Sequence, residues 1–247
     1  MSSSDPQLLA GRGAVVVGGS RGIGAAVAAL LAQHGAAVVV NGRDGDAAEQ
    51  TAAKITTNGG RAVAHAGSPA NQTGADALVA RCIDEFGGIH ILVNCAGIAK
   101  PAGSSILDIS PAQFRELLDA HLVTVFATCR AAAPRMVAQG GGSIVNTGSL
   151  AFLGDYGGTG YPAGKGAVNS LTLAIAAELN TTGSGPMSSA RAPRPGCPPG
   201  RSTKPTLSTY TAAGCSTKPR CAAHWMRPHR STWHRCMSIW SAISPST

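Results

Sequence analysis

Short runs of β-branched and small apolar residues alternate with longer stretches of helical periodicity up to about residue 182, and this alternation restricts the possible folds more than any other feature of the chain. The runs are "AVVVGG" (14 to 19), "AAVVVNG" (36 to 42), "RAVAHAG" (61 to 67), "IHILVNCAG" (89 to 97) and "GSIVNTGS" (142 to 149). They read as buried parallel strands. Between them, Ile23, Val27, Leu30 and Leu31 give a 3.6-residue apolar face, as do Ala167, Val168, Leu171, Ile175 and Leu179. Ser110 followed by Pro111 predicts the capped start of a long helix reaching roughly Met136, with Pro134 expected to distort its last turn. Parallel strands need long crossovers, which are right-handed. The order therefore predicts a single α/β domain on a doubly wound parallel sheet, with ligands at the carboxyl ends of the strands.

Hydrophobic residues make up 44% of the 247, with 32 Gly but only four Phe, three Tyr and three Trp. The core must then be built from Val, Ile, Leu and Ala, which favours helices lying close to the sheet. No apolar stretch approaches the ~18 residues of a bilayer span, and the start "MSSSDPQLLAGRG" carries no charged, apolar leader. No membrane partner and a cytoplasmic location are expected. Seven scattered cysteines predict free thiols in a reducing compartment rather than a disulfide framework. The net charge of +8 would ordinarily suggest a nucleic-acid partner. Residues 1 to 183, however, carry 11 Lys+Arg against 12 Asp+Glu, whereas residues 184 to 247 carry nine and none. The basicity belongs to the tail, and no specific nucleic acid is expected.

The chemically suggestive motifs fall at the carboxyl ends of predicted strands. After the first comes "VGGSRGIG" (17 to 24), with Gly18, Gly22 and Gly24 spaced G-x-x-x-G-x-G. Glycine there allows a sharp turn, a close approach of pyrophosphate to a helix N-terminus, and a helix seated tightly on the sheet. In isolation this is also an ordinary turn of a glycine-rich chain; between a strand and a helix it points to a Rossmann-like dinucleotide site. Gly18, Ser20, Arg21, Gly22, Ile23 and Gly24 are its candidate cofactor-binding residues. The second strand ends in "VVVNGRD", where an NAD enzyme would carry an acid for the adenosine ribose. Gly42 holds that place and Arg43 follows. Two arginines, Arg21 and Arg43, suit a 2′-phosphate, so NADP(H) is expected over NAD(H), with Asp44 as an opposing charge.

In "GYPAGKG" (160 to 166), Tyr161 and Lys165 stand at i and i+4, so phenol and ammonium share a helix face. By itself such a pair is usually a solvated surface turn. Lowering a free tyrosine from ~10 to ~7 takes about 4 kcal/mol of phenolate stabilisation. A neighbouring ammonium and an oxidised nicotinamide could supply it.

With these motifs in this order, the chain resembles the short-chain dehydrogenase/reductase family over residues 10 to about 183. "VGGSRGIG" is similar to the family's TGxxxGxG loop, "NCAG" (94 to 97) to its NNAG turn and "YPAGK" (161 to 165) to its YxxxK signature, with Ser149 12 positions before Tyr161. The resemblance implies a hydride-transferring enzyme acting on a ketone or secondary alcohol, 3-oxoacyl thioesters being one substrate class. It implies Tyr161 as acid/base, Ser149 as hydrogen-bond partner of the substrate oxygen, and Lys165 also holding the nicotinamide ribose. Asn94, Ala96 and Gly97 join the cofactor-binding residues. A homo-oligomer, dimer or tetramer, paired through helices 111 to 138 and 161 to 180, is implied likewise. Three positions depart from the pattern: Val17 replaces the loop's Thr, Gly67 stands where an Asp meets the adenine amine, and His121 occupies the place of the fourth catalytic residue, an Asn. A neutral imidazole there could anchor the water of a proton relay or simply pack as a core histidine. A catalytically impaired nucleotide-binding homologue is the alternative function.

Residues 184 to 247 do not continue the resemblance. They hold nine of 15 Pro, four of seven Cys and all three Trp, without periodicity, and the family's sixth strand, "PG" turn and closing strand are not recognisable there. Such a composition reads as disordered. Back-translated into GC-rich codons and shifted by one base, "PMSSARAPRPGCPPGRSTKP" can be read N-V-I-S-P-G-A-T-P-G-L-P-A-G-P-I-D-E-A, which contains both a strand and a "PG" turn. A frameshift near residues 183 to 186 is therefore expected, dividing the chain into a catalytic domain (1 to 183) and a tail (184 to 247). The tail's Cys and His fit no zinc-finger spacing, so no metal is expected; its basic residues mixed with Trp would otherwise suggest single-stranded nucleic acid.

Overall fold

The computed structural model describes residues 7–98, 104–154, 156–181 and 208–212. In chain order the elements are β1 (Gly13–Val17), α1 (Gly22–Gln33), β2 (Ala37–Gly42), α2 (Gly45–Thr57), β3 (Arg61–Ala66), α3 (Gln72–Phe86), β4 (Ile91–Asn94), α4 (Pro111–Leu118), α5 (Thr124–Ala138), β5 (Ser143–Thr147), α6 (Gly160–Thr181) and β6 (Ser208–Ala212). All strand pairs are parallel, in the order β3-β2-β1-β4-β5-β6. Strand order reverses at β1, which places the crevice of a doubly wound sheet over the carboxyl ends of β1 and β4.

Packing on both faces follows from the strand sequences. In β1, Val15 and Val17 join one core with residues of α3, α5 and α6, while Ala14 and Val16 join the other beneath α1 and α2. Every residue of β1 and β2 is buried, as expected for central parallel strands. β3 departs from the expectation of a fully buried strand: its ends are exposed and its middle half-buried, because it is an edge with β2 on one side alone.

Three further features differ from the sequence reading. On α1 the fully buried residues are Gly24, Ala28 and Ala32; of the predicted face, Val27 and Leu31 are half-buried and pack on the core, Leu30 is half-buried, and Ile23 is 59% exposed. Small residues face the sheet because the helix lies too close for branched ones, and a Cβ on Gly24 would collide with the Gly18 carbonyl oxygen. The long helix opens as predicted, with Ser110 and Gln113 forming a reciprocal capping box ahead of Pro111. Its irregularity lies not at Pro134, which α5 passes through to end at Ala138, but in a π turn at Asp119–Val123. There the Thr124 hydroxyl and amide both donate to the Asp119 carbonyl. The sixth strand, absent from the sequence reading, is present at Ser208–Ala212 and pairs in parallel with β5. The remainder of the tail, including its Cys, His and Trp, lies outside the described residues, as does the expected frameshift point.

A buried polar ladder ties the second half of the sheet to its helices. Asn94 on β4 donates to the Asn146 side-chain oxygen on β5 at 2.9 Å and accepts from the Thr128 hydroxyl of α5 at 2.9 Å. Asn146 in turn donates to the Thr172 hydroxyl of α6 at 3.0 Å, and all four side chains are at most 2% exposed. Satisfied polar groups in a dry core fix a unique arrangement; partly satisfied ones are expensive. Asn146→Ala should accordingly cost about 1–3 kcal/mol by leaving the Asn94 amide with only the Cys129 sulfur at 3.7 Å, while the Thr172 hydroxyl still donates to the Val168 carbonyl at 2.7 Å. Urea unfolding would measure it, and a loss under about 1 kcal/mol would mean the ladder is dispensable.

Candidate active site

The loop between β1 and α1 begins with a constraint that only glycine meets. Gly18 has φ +74°, and a Cβ there would lie 2.7 Å from the Ala96 backbone nitrogen, so the glycine loop rests directly against the chain leaving β4. The other end of the loop is the N-terminus of α1. Its N-cap, Arg21, makes no side-chain cap, whereas Asp44, Asn71 and Ser110 cap α2, α3 and α4. First-turn N–H groups of α1 are thus left for an anion, which together with the glycine cradle fits a dinucleotide pyrophosphate. Gly22 and Ile23 are exposed at this turn, and Ser20 is half-buried, its carbonyl accepting from the Thr51 hydroxyl at 2.9 Å.

Beside the loop, the end of β2 carries the groups expected to meet the adenosine. Gly42 is buried, and a Cβ on it would fall 2.6 Å from the Ser20 hydroxyl, so the absence of a carboxylate there is also a packing requirement. Arg43 is exposed and has no ion-pair partner among the described residues. Arg21 is placed otherwise than the sequence suggested: its guanidinium is paired with Asp44. Gly67 is exposed with φ +124° and donates its N–H to the Gly42 carbonyl at 2.9 Å. Asn41 bridges the same corner, donating to the His65 and Gly67 carbonyls at 3.0 Å each.

Tyr161, Lys165 and Ser149 gather beyond the carboxyl ends of β4 and β5. Tyr161 and Lys165 lie in the opening turns of α6, and the Lys165 ammonium, only 5% exposed, donates to the Thr147 carbonyl at 2.7 Å. The same ammonium stands 5.9 Å from the centre of the Tyr161 ring. Burial lowers the Lys165 pKa, with nearby Cys95 opposing the shift. Two residues after Thr147, Ser149 caps the short 3₁₀ turn Leu150–Leu153, accepting from the Ala151 N–H at 3.2 Å. Its own hydroxyl proton has no acceptor among the described residues. That turn packs on α6, which brings Ser149, Tyr161 and Lys165 to one region. Of the "NCAG" residues, Ala96 and Gly97 follow β4 into this crevice, whereas the Asn94 side chain points into the core ladder and is not free to face a ligand.

His121 sits in the π turn, 1% exposed, edge-on to Tyr161 with ring centres 5.1 Å apart. Its Nε2 is 2.9 Å from the Ile98 carbonyl oxygen; since a carbonyl only accepts, Nε2 carries the proton and Nδ1 is a bare acceptor in the neutral ring. Burial chiefly, and the Lys165 cation secondarily, push its pKa down to about 4. Two glycines make room for it: a Cβ on Gly97 would lie 2.6 Å from the imidazole Cε1, and one on Gly164 3.1 Å from the His121 Cβ. Gly164, Thr147 and Asn146 escaped the sequence reading, since each acts through a contact with a residue distant in the chain.

A histidine whose folded pKa lies below its unfolded value takes up protons preferentially in the unfolded chain. Its stability contribution is therefore complete above pH 6.5 and falls away toward pH 4. Over that window the parent should lose about 2–3 kcal/mol more than His121→Asn in denaturant titrations. Equal losses would mean that His121 titrates normally.

The family model described as short chain dehydrogenase matches residues 12–184. The short-chain reductase protein NovJ of Streptomyces niveus is 39% identical over 170 residues, covering 69% of this chain and 64% of that protein. A 3-oxoacyl-[acyl-carrier-protein] reductase of Synechocystis is 37% identical over 172 residues, covering 69% of each. Among solved structures, a metagenomic short-chain oxidoreductase in complex with NADP matches at TM-score 0.71 and 30% identity, covering 85% of this chain and 84% of that one. A short chain dehydrogenase from Mycobacterium avium matches at TM-score 0.67 and 36% identity, covering 71% and 65%. Some of these relatives are thus matched over less than two thirds of their length, but the glycine loop, the Tyr161–Lys165 pair and strands β1 to β5 lie within residues 12–184: the chain belongs to the short-chain dehydrogenase family.

Proposed function

We propose that this chain is an oxidoreductase that exchanges hydride between NADP(H) and a ketone or secondary alcohol. The observation that carries the reading is the buried Lys165 ammonium, fastened to the Thr147 carbonyl beside the Tyr161 ring. A nicotinamide, when bound, supplies or accepts the hydride at the carbinol carbon. Gly18, Ser20, Gly22, Ile23 and Gly24 shape the pyrophosphate cradle, Arg43 with Arg21 attracts the 2′-phosphate, and Ala96 and Gly97 border the crevice. The NADP-bound structural relative supports NADP(H) over NAD(H), and the acyl-carrier-protein reductases among the relatives support 3-oxoacyl thioesters as one substrate class.

In this reading the Tyr161 hydroxyl gives a proton to the carbonyl oxygen, or takes one from the alcohol. Lys165 places its positive charge beside the phenol where the proton is exchanged, and also holds the nicotinamide ribose. Ser149 donates its free hydroxyl proton to the substrate oxygen, a charge-stabilising bond that strengthens as that oxygen becomes negative. His121, neutral throughout the working range, offers Nδ1 as an acceptor at the base of the proton path. The segment 1–183 is proposed as the catalytic domain and 184–247 as an out-of-frame tail. Half-exposed Phe126 on α5 and exposed Leu173 on α6 support a homo-oligomer paired through these helices.

Tyr161→Phe removes the proton and little else. Carbonyl-dependent NADPH oxidation should fall by at least about a hundredfold, while fluorescence titration with NADPH stays within about twofold of the parent. Undiminished turnover in the variant would remove Tyr161 from the chemistry. Tight NADPH binding by a parent that turns over no carbonyl in a broad panel would favour a nucleotide-binding protein without catalysis.

A further inference from the structure

We infer that Asp44 is a specificity-determining residue, an internal anion that competes with the adenosine 2′-phosphate for Arg21. The inference rests on the cofactor reading above. Asp44 lies two residues beyond the end of β2 and serves two partners at once. One carboxylate oxygen accepts the Ala47 N–H at 3.1 Å as the N-cap of α2, and the other receives the Arg21 guanidinium. The cap fixes the carboxylate, so it cannot follow the arginine if that side chain moves. The Ala47 N–H first, then Arg21, hold its carboxyl below the usual carboxylate range, so it is ionised at neutral pH.

Arg21 also belongs to the glycine loop, as the N-cap residue of α1. Between the two helix starts lies a polar cleft of about 290 Å³ lined by Ser20, Arg21, Asp44, Gln50, Thr51 and Lys54, with Asp46 also at its wall. Of its two cations, Arg21 is paired with Asp44, whereas Lys54 and adjacent Arg43 have no ion-pair partner among the described residues. A phosphate monoester carries nearly two negative charges at neutral pH. To use Arg21 it must take the guanidinium from Asp44, and it meets the carboxylate's repulsion as it does so. A ligand bearing a 2′-hydroxyl faces no such exchange. The pair consequently narrows the preference for NADP(H) that the two arginines would otherwise confer.

Asn caps helices as well as Asp does, so Asp44→Asn should preserve α2 while releasing Arg21. Calorimetric titration of the full chain with NADPH and 2′,5′-ADP should show roughly fivefold tighter binding in the variant, with NADH and 5′-AMP within about twofold of the parent. Asp44→Ser, another capping residue, should reproduce the effect, and adding Arg21→Ala to Asp44→Asn should abolish the gain. The inference is overturned if both Asp44 variants bind the phosphate-bearing ligands no better than the parent, or if all four ligands tighten equally. A parent that binds none of the four would overturn the cofactor reading and this inference with it; normal parent binding with an inert Asp44→Asn would overturn the inference alone.

Discussion

Lys165 carries an ammonium almost wholly out of water, held by one carbonyl, that of Thr147. Removing a cation from solvent costs several kcal/mol unless partners replace its hydration; its lowered pKa records that cost. The Asn94, Asn146 and Thr172 ladder locks α6 against β4 and β5 from below, and the first turns of α6 then deliver Tyr161 and Lys165 above the strand ends. What is costly for stability leaves a positive charge next to a phenol in a half-enclosed crevice, where charge interacts more strongly than in water.

Much of this was legible in the sequence because it depends on local pattern. Five strand runs, the Ser110–Pro111 helix start and the glycine loop each follow from residues within a few positions of one another, and α6 buries Val168 and packs Leu171, Ile175 and Leu179 on the core as its periodicity predicted. What could not be read depends on proximity between distant segments. On α1 the sequence showed Val27 and Leu31, which pack on the core, but not that the residues closest to the sheet are Gly24, Ala28 and Ala32, because the close approach where Gly24 meets Gly18 depends on a contact across the loop. The π turn at Asp119–Val123 has no breaker residue to announce it. β6 lies in a segment whose composition carries no alternation, so its pairing with β5 had no local signal.

The candidate site divides in the same way. Tyr161, Lys165 and Ser149 were visible as motifs, and the structure brings them to one region. Asn94 matched a cofactor motif but spends its side chain on the core. Arg21 matched a phosphate-binding pattern yet is held by Asp44, an ion pair that spacing in the chain could suggest only as an opposing charge. The His121 ring lies against Gly97, where a Cβ would fall 2.6 Å from its Cε1, so the glycine of the "NCAG" turn leaves the space the imidazole fills.

The most direct measurement follows the hydride itself. The protein is incubated with NADPH deuterated at the transferable C4 position and with carbonyl compounds including a 3-oxoacyl thioester, and the products are read by mass spectrometry. The account predicts an alcohol carrying one deuterium on its carbinol carbon, formed by the parent and not by Tyr161→Phe. Alcohol formed without deuterium, or no alcohol from a folded parent that binds NADPH, would contradict it.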